Sequence, residues 1–88
     1  MADTPRVLMY SSALCPFCHR AMRLLASKGV EPDVRSVDGD AATHQEMMSR
    51  TGRHTVPQIY IGDRHVGGCD DLYMLERAGE LDSLLAGT

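Results

Sequence analysis

The stretch VLMYSSALCPFCHRAMRLLASKG, residues 7–29, decides how this chain folds. Val7 to Tyr10 is a short apolar run and reads as a strand, and Ser11 to Leu14 reads as a loop. From Pro16 onward the pattern changes period. Phe17, Ala21, Leu24 and Leu25 fall at i, i+4, i+7 and i+8, which predicts one apolar face of a helix. Pro16 suits the first helical turn, where its missing N–H would have had no partner anyway. Gly29 is placed to end the helix in a left-handed cap.

Downstream, strand-like and helix-like pieces go on alternating. Asp33 to Val37 predicts a weaker strand. Asp40 can cap the next helix, which carries Met47 and Met48 and stops at Gly52. Gln58 to Ile61 reads as a strand, with Arg64 to Val66 as its hairpin partner across the turn Gly62-Asp63. Gly67-Gly68 breaks the pattern. Asp70 or Asp71 then opens a helix through Leu72, Leu75 and Ala78, and a last short helix is expected near Leu81 to Leu85. The order is βαβαββα. Its first half calls for parallel strands joined by a right-handed crossover, and the hairpin adds an antiparallel edge. The expected architecture is α/β: a four-stranded mixed sheet flanked by helices on both faces.

At the junction of the first strand and helix, Cys15-Pro16-Phe17-Cys18 places two cysteines with two residues between them. The helix start presents N–H groups without partners and the positive end of the helix dipole, both of which favour an anion. The thiolate is the reactive form of cysteine, so Cys15 is the expected nucleophile. Cys18 lies almost one turn along the same helix, near enough to close a disulfide and less exposed. This division makes Cys15 the attacking thiol and Cys18 the resolving one.

Three other readings compete. A zinc site normally needs four ligands, often as paired short-spaced motifs. Cys69 and His19, His44, His54 or His65 supply no second such pair. With His19 the motif also matches the C-x-x-C-H pattern of covalent haem attachment, but that chemistry normally implies export. Inert core cysteines are a third possibility, since free cysteine is often buried and silent. A proline between the two at a helix start argues against it. No metal is expected.

Two further segments bear on the reading. Thr55-Val56-Pro57 precedes a strand. It reads either as a plain strand start or as a cis proline that turns the Val56 backbone toward a ligand. Gly67-Gly68-Cys69-Asp70-Asp71 is a glycine turn entering a helix. It reads as an aspartate-capped exit from the hairpin, as a carboxylate-binding helix start, or as both. Asp70 and Asp71 can pair with an ammonium group. A ligand with carboxylate and ammonium on one carbon, such as the γ-glutamyl end of glutathione, suits this corner, and Arg53 can take the ligand's other carboxylate. Cys69 is either a packed small residue or a third thiol near the site. The four histidines read mainly as surface residues, with His19 able to tune the site, and Met22, Met47 and Met48 as core filler.

The bulk properties narrow the class. Eighty-eight residues make one domain, 1–88, with a modest core. A net charge of −3 favours neither nucleic acid nor an anionic membrane as partner. No run approaches the roughly 18 apolar residues of a spanning helix. Met1 to Arg6 is short and polar, unlike a secretory signal. Three cysteines are an odd number, which disfavours a secreted disulfide scaffold. The cytoplasm is the expected compartment, where a close cysteine pair is more often catalytic, redox-sensing or metal-binding than structural.

Taken together, Cys15-Pro16-Phe17-Cys18, Thr55-Val56-Pro57 and Gly67-Gly68-Cys69-Asp70-Asp71 resemble the active site, cis-proline motif and γ-glutamyl-binding turn of the dithiol glutaredoxins. Gly52 to Ile59 resembles the short bacterial members in particular, and the likeness runs from about Val7 to Leu85. The resemblance implies the thioredoxin-like fold and glutathione as reducing co-substrate. It implies a monomer acting on glutathionylated or disulfide-containing proteins. It also implies glutathione contacts from Arg53, the Val56 backbone, Asp70 and Asp71, with Phe17, Thr55, Pro57, Gly68 and Cys69 completing the surface. Two positions depart from the family. Ser12 stands where a lysine is frequent, three residues before the nucleophile, and Phe17 replaces the usual tyrosine. The alternatives are a thioredoxin-like reductase not served by glutathione and a glutathione-ligated iron–sulfur carrier. Pro16 argues against the carrier, because in this family proline there goes with poor cluster binding.

Overall fold

The computed structural model describes residues 4–87. Met1 to Asp3 and Thr88, on which the readings of the N-terminus and of the domain limits partly rest, lie outside the described residues. The elements run β1 (Val7–Ser11), α1 (Pro16–Ser27), β2 (Asp33–Ser36), α2 (Ala41–Thr51), β3 (Gln58–Ile61), β4 (Arg64–Gly67), α3 (Cys69–Arg77) and α4 (Leu81–Ala86). This is the expected βαβαββα order followed by the short last helix, also expected. The strands form one mixed sheet in the order β2-β1-β3-β4, with β1 parallel to β2 and antiparallel to β3, and β3 antiparallel to β4.

Side-chain alternation along the strands divides the core into two layers. Val7 and Met9 of β1 and Ile59 and Ile61 of β3 pack with Ala21, Leu25, Leu72, Leu81 and Leu85, so α1, α3 and α4 cover one face. Tyr10 and Tyr60 point the other way and pack on Met47, so α2 covers the opposite face. The hydroxyl of Tyr10 donates to Glu46 and accepts from Arg50, which ties α2 to the sheet through a partly buried polar pair. β2 is exposed along its whole length, as its polar Asp33, Arg35 and Ser36 suit an edge strand. Among the described residues no helix is long and apolar enough to cross a membrane.

Several boundaries differ from expectation. β1 continues through Ser11, because Ser11 stays paired with Ser36, and β2 ends at Ser36, one residue before Val37. β4 runs to Gly67, which pairs with Ile59. α3 starts at Cys69, earlier than Asp70 or Asp71: Gly68 is its N-cap, and the Asp71 carboxylate reaches back to the Gly68 N–H. The buried stripe of α1 is Cys18, Ala21 and Leu25, so Phe17 does not share that face and is 56% exposed. Each helical residue turns about 100°, which sets Phe17 well away from Cys18 once Cys18 faces the core.

The register places the candidate loops together. Tyr10 at the end of β1 pairs with Gln58 at the start of β3, and Ile59 pairs with Gly67 at the end of β4. The segments after β1, before β3 and after β4 therefore meet at one end of the sheet.

Candidate active site

Cys15 is the N-cap of α1, and its sulfur does what a serine or aspartate oxygen does at other helix starts. Cys15 Sγ accepts the Cys18 backbone N–H at 3.3 Å, and its thiol donates to the Val56 carbonyl at 3.6 Å. Pro16 occupies the first helical position, as its fixed φ favours. Cys15 is partly exposed, whereas Cys18 is fully buried, and both are free thiols. Burial pushes the Cys18 thiol up from its ordinary value. The hydrogen bond with Cys15 adds to this, while the Ser11 side chain and the Ser12 backbone oppose it. Cys18 is thus held as a protonated thiol beneath the accessible sulfur.

The loop before Cys15 is fastened by four hydrogen bonds. Ser12 Oγ and the Ala13 N–H donate to the two carboxylate oxygens of Asp38 at 2.6 and 2.8 Å. The His19 ring donates from Nε2 to the Ala13 carbonyl at 2.8 Å, and the Cys15 N–H donates to the Ser12 carbonyl at 3.3 Å. His19 therefore turns away from the sulfur and braces the loop. The Ala13 N–H, then the Ser12 hydroxyl, hold the Asp38 carboxyl below its usual range.

Beside Cys15 lies a groove of about 360 Å³. Phe17, Arg53, Thr55, Val56, Pro57, Gly68, Cys69, Asp70 and Asp71 all line it, so three segments singled out from sequence converge on one surface. The Val56–Pro57 bond is cis. Asp71 Oδ2 accepts from Gly68 N at 2.9 Å and from Arg53 Nη1 at 3.0 Å. The Gly68 N–H, with the nearby Arg53 guanidinium, holds the Asp71 carboxyl low against the effect of burial. Asp71 therefore shapes the turn from within, while Asp70 is exposed on the groove wall. Cys69 is 5% exposed and packs in the main core, with burial pushing its thiol up, so the packed reading of this residue holds.

Two residues at or behind the groove have no binding role in the sequence reading, where Gln58 only opens a strand and His65 is a surface histidine. Gln58, 1% exposed, lines the groove, and its amide donates to the Thr55 carbonyl at 3.0 Å. His65 is half-buried rather than a surface residue, and its Nε2 meets Gln58 Oε1 at 2.8 Å. The one available signal is a glutamine opening an otherwise apolar strand.

The arrangement is a partly exposed sulfur at a helix start, a protonated partner thiol beneath it, and a groove offering backbone, one cation and two carboxylates. It can perform thiol–disulfide exchange on a peptide-like ligand. Comparisons with known proteins agree. The Glutaredoxin family model matches residues 7–66. Glutaredoxin 3 of Escherichia coli K12 is 54% identical over 79 residues, covering 90% of this chain and 95% of that protein. A solution structure of glutaredoxin from Brucella melitensis superposes with a TM-score of 0.84 at 49% identity, covering 97% of this chain and 94% of that one. The crystal structure of a buckwheat glutaredoxin–glutathione complex superposes with a TM-score of 0.87 at 28% identity, covering 94% of this chain and 78% of that one.

Proposed function

The chain belongs to the glutaredoxin family of thiol–disulfide oxidoreductases, and from that premise we propose that it is a glutathione-dependent, single-domain cytoplasmic monomer. Its substrates are glutathionylated and disulfide-containing proteins. The observation that carries the reading is the partly exposed Cys15 sulfur, 3.6 Å from the Val56 carbonyl, next to the groove between Thr55–Pro57 and Gly68–Asp71. A structural relative has been crystallised with glutathione, which supports the choice of ligand.

In one route the Cys15 thiolate attacks the glutathione sulfur of a protein mixed disulfide. The protein sulfur leaves as a thiolate and takes up a proton, and glutathione stays bonded to Cys15. A second glutathione thiolate attacks that sulfur, releasing Cys15 and oxidised glutathione. In the other route Cys15 opens a protein disulfide. Cys18 then loses its proton and attacks the Cys15 sulfur. The substrate leaves as a dithiol and the Cys15–Cys18 disulfide remains, to be reduced by two glutathiones. Glutaredoxin couples lie near −200 to −230 mV, close to the glutathione pool, so recycling is feasible. The groove would bind the tripeptide through the Val56 backbone, the first-turn N–H groups of α3, Arg53 on a carboxylate and Asp70 near the ammonium.

Turnover of a small glutathione mixed disulfide, coupled to glutathione and its reductase, tests the assignment. Cys15→Ser should abolish both routes, while Cys18→Ser should retain deglutathionylation and lose protein-disulfide reduction. Full activity in Cys15→Ser would reject Cys15 as nucleophile. Turnover supported by a thioredoxin reductase but not by glutathione would reject the donor.

A further inference from the structure

Behind the groove wall runs a hydrogen-bonded chain that the exchange chemistry does not use. Gln58 Nε2 donates to the Thr55 carbonyl at 3.0 Å, and Gln58 Oε1 faces His65 Nε2 at 2.8 Å. With its nitrogen committed to a carbonyl, the amide offers only its oxygen to His65, so His65 carries a proton on Nε2 and donates. Turning the amide over would set oxygen against oxygen at Thr55. The Thr55 carbonyl and the His65 donor thus favour the same orientation of Gln58 and hold its amide from both ends.

His65 is itself well placed. It pairs with Tyr60 across the β3–β4 ladder, and its ring lies 5.1 Å from the Tyr60 ring, centroid to centroid. Thr55 and Val56, by contrast, belong to no helix or strand. Their backbone is the part of the groove that meets the nucleophile, through the Val56 carbonyl and Cys15.

We propose that His65 and Gln58 are positioning residues: by holding the Thr55 carbonyl they set the Val56 backbone against Cys15 and so tune the affinity of the groove for glutathione. This rests on the glutathione-dependent reading above. The relay runs from a rigid hairpin to an irregular loop. Losing the His65 donor leaves the buried Gln58 oxygen without a partner and loosens the amide's hold on Thr55.

Three variants separate positioning from general packing. His65→Phe keeps a ring near Tyr60 but has no donor. His65→Asn has an amide too short to reach Gln58. His65→Gln carries its amide nitrogen at about the distance of Nε2. Hydrogen exchange over residues 53–58 of the free protein should quicken in His65→Phe and His65→Asn, and the KM for glutathione should rise about 2- to 10-fold with kcat little changed. His65→Gln should return both toward wild type. Wild-type exchange and KM in a folded His65→Phe or His65→Asn would overturn the proposal, as would failure of His65→Gln to rescue. The exchange measurement needs no glutathione. It therefore judges the relay even if the wild-type protein proves not to turn over that thiol, a result that would instead defeat the proposed function.

Discussion

Replacing Gly67 by alanine should harm this protein in two ways that can be measured apart. Gly67 has φ of +115°, a conformation that costs a residue with a Cβ about 1–3 kcal/mol. A Cβ built there would also lie 2.8 Å from Asp71 Cγ, closer than non-bonded atoms tolerate, and a tight 3.1 Å from Arg53 Nη1. The Asp71 carboxylate must then leave its place under the turn. It would give up the Gly68 N–H at 2.9 Å and Arg53 at 3.0 Å. Charge-assisted bonds of this kind contribute about 1.5–3 kcal/mol when buried. Asp71 is partly exposed, so about 1 kcal/mol is the fitting allowance. Gly67→Ala should therefore destabilise by roughly 2–4 kcal/mol.

Gly79 supplies the control. Its φ is +73°, and an added Cβ would meet nothing within 4 Å. Gly79→Ala should show the backbone cost alone, about 1–2 kcal/mol. For a domain of this size 1 kcal/mol moves Tm by about 4–8 °C, so thermal unfolding followed by circular dichroism resolves the two variants. In an Asp71→Ala background the Gly67→Ala penalty should shrink toward its backbone part, because the clashing carboxylate is gone. An equal Tm for Gly67→Ala and Gly79→Ala, with the Gly67 penalty unchanged by Asp71→Ala, would refute the placement of Asp71 under this turn.

Two other outcomes are expected. Arg53→Ala should raise the KM for glutathione by only ~3- to 10-fold, because Arg53 already has an ion-pair partner in Asp71 and is half exposed; an unchanged KM would remove Arg53 from the binding surface. Acid should destabilise the protein in two stages. Burial, with Arg53 adding and Asp71 opposing, holds His65 below its ordinary 6.5, so below that pH the unfolded chain takes up a proton that the folded one refuses, and stability declines. Asp38, Asp40 and Asp71 are held below their ordinary 3.8 by backbone N–H groups of Ala13, Thr43 and Gly68, so the stability they give is whole above that value and is lost as pH falls through the lowered ones. A Tm profile from pH 8 to pH 3 should show both stages, and His65→Gln should erase the upper one; a profile flat between pH 7 and pH 5 contradicts the burial of His65.

The sequence discloses what local patterns control. Residues 7–29 announce strand, loop and helix because the hydrophobic period changes there and Pro16 and Gly29 mark the ends. Asp40 and Gly52 bracket α2 for the same reason, and the cap is real: Asp40 accepts from the Thr43 N–H at 3.0 Å. The candidate-site segments are legible because each carries an unusual residue type. What escapes is the choice of partner between distant polar side chains. Nothing local tells that Ser12 will face Asp38, that Arg53 will take Asp71, or that Gln58 will find His65 across a hairpin whose register shifts between Ile59 and Tyr60. The misplacement of Phe17 has a simpler cause. Counting only hydrophobic letters ignores that Cys18 is itself the core residue of that turn, which forces Phe17 outward.

Ser12 has a consequence for how the groove holds an anionic ligand. This chain has at position 12 a hydroxyl turned to Asp38, so no cation from that position reaches the groove. Among the described residues that line it, Arg53 alone is cationic, and it is engaged with Asp71. A ligand carboxylate must share Arg53 with Asp71, which engages Nη1, and the half-exposed guanidinium is screened by solvent, so the net gain is small. The main share of affinity then falls on directed backbone groups, those of Val56 and of the first turn of α3, whose N–H and C=O are fixed before the ligand arrives. This ranks two variants. Gly67→Ala, which shifts the turn into α3, should weaken glutathione binding more than Arg53→Ala, which deletes a charge but leaves the backbone in place. The opposite order, in variants shown to be folded, would mean that charge and not backbone geometry holds the ligand.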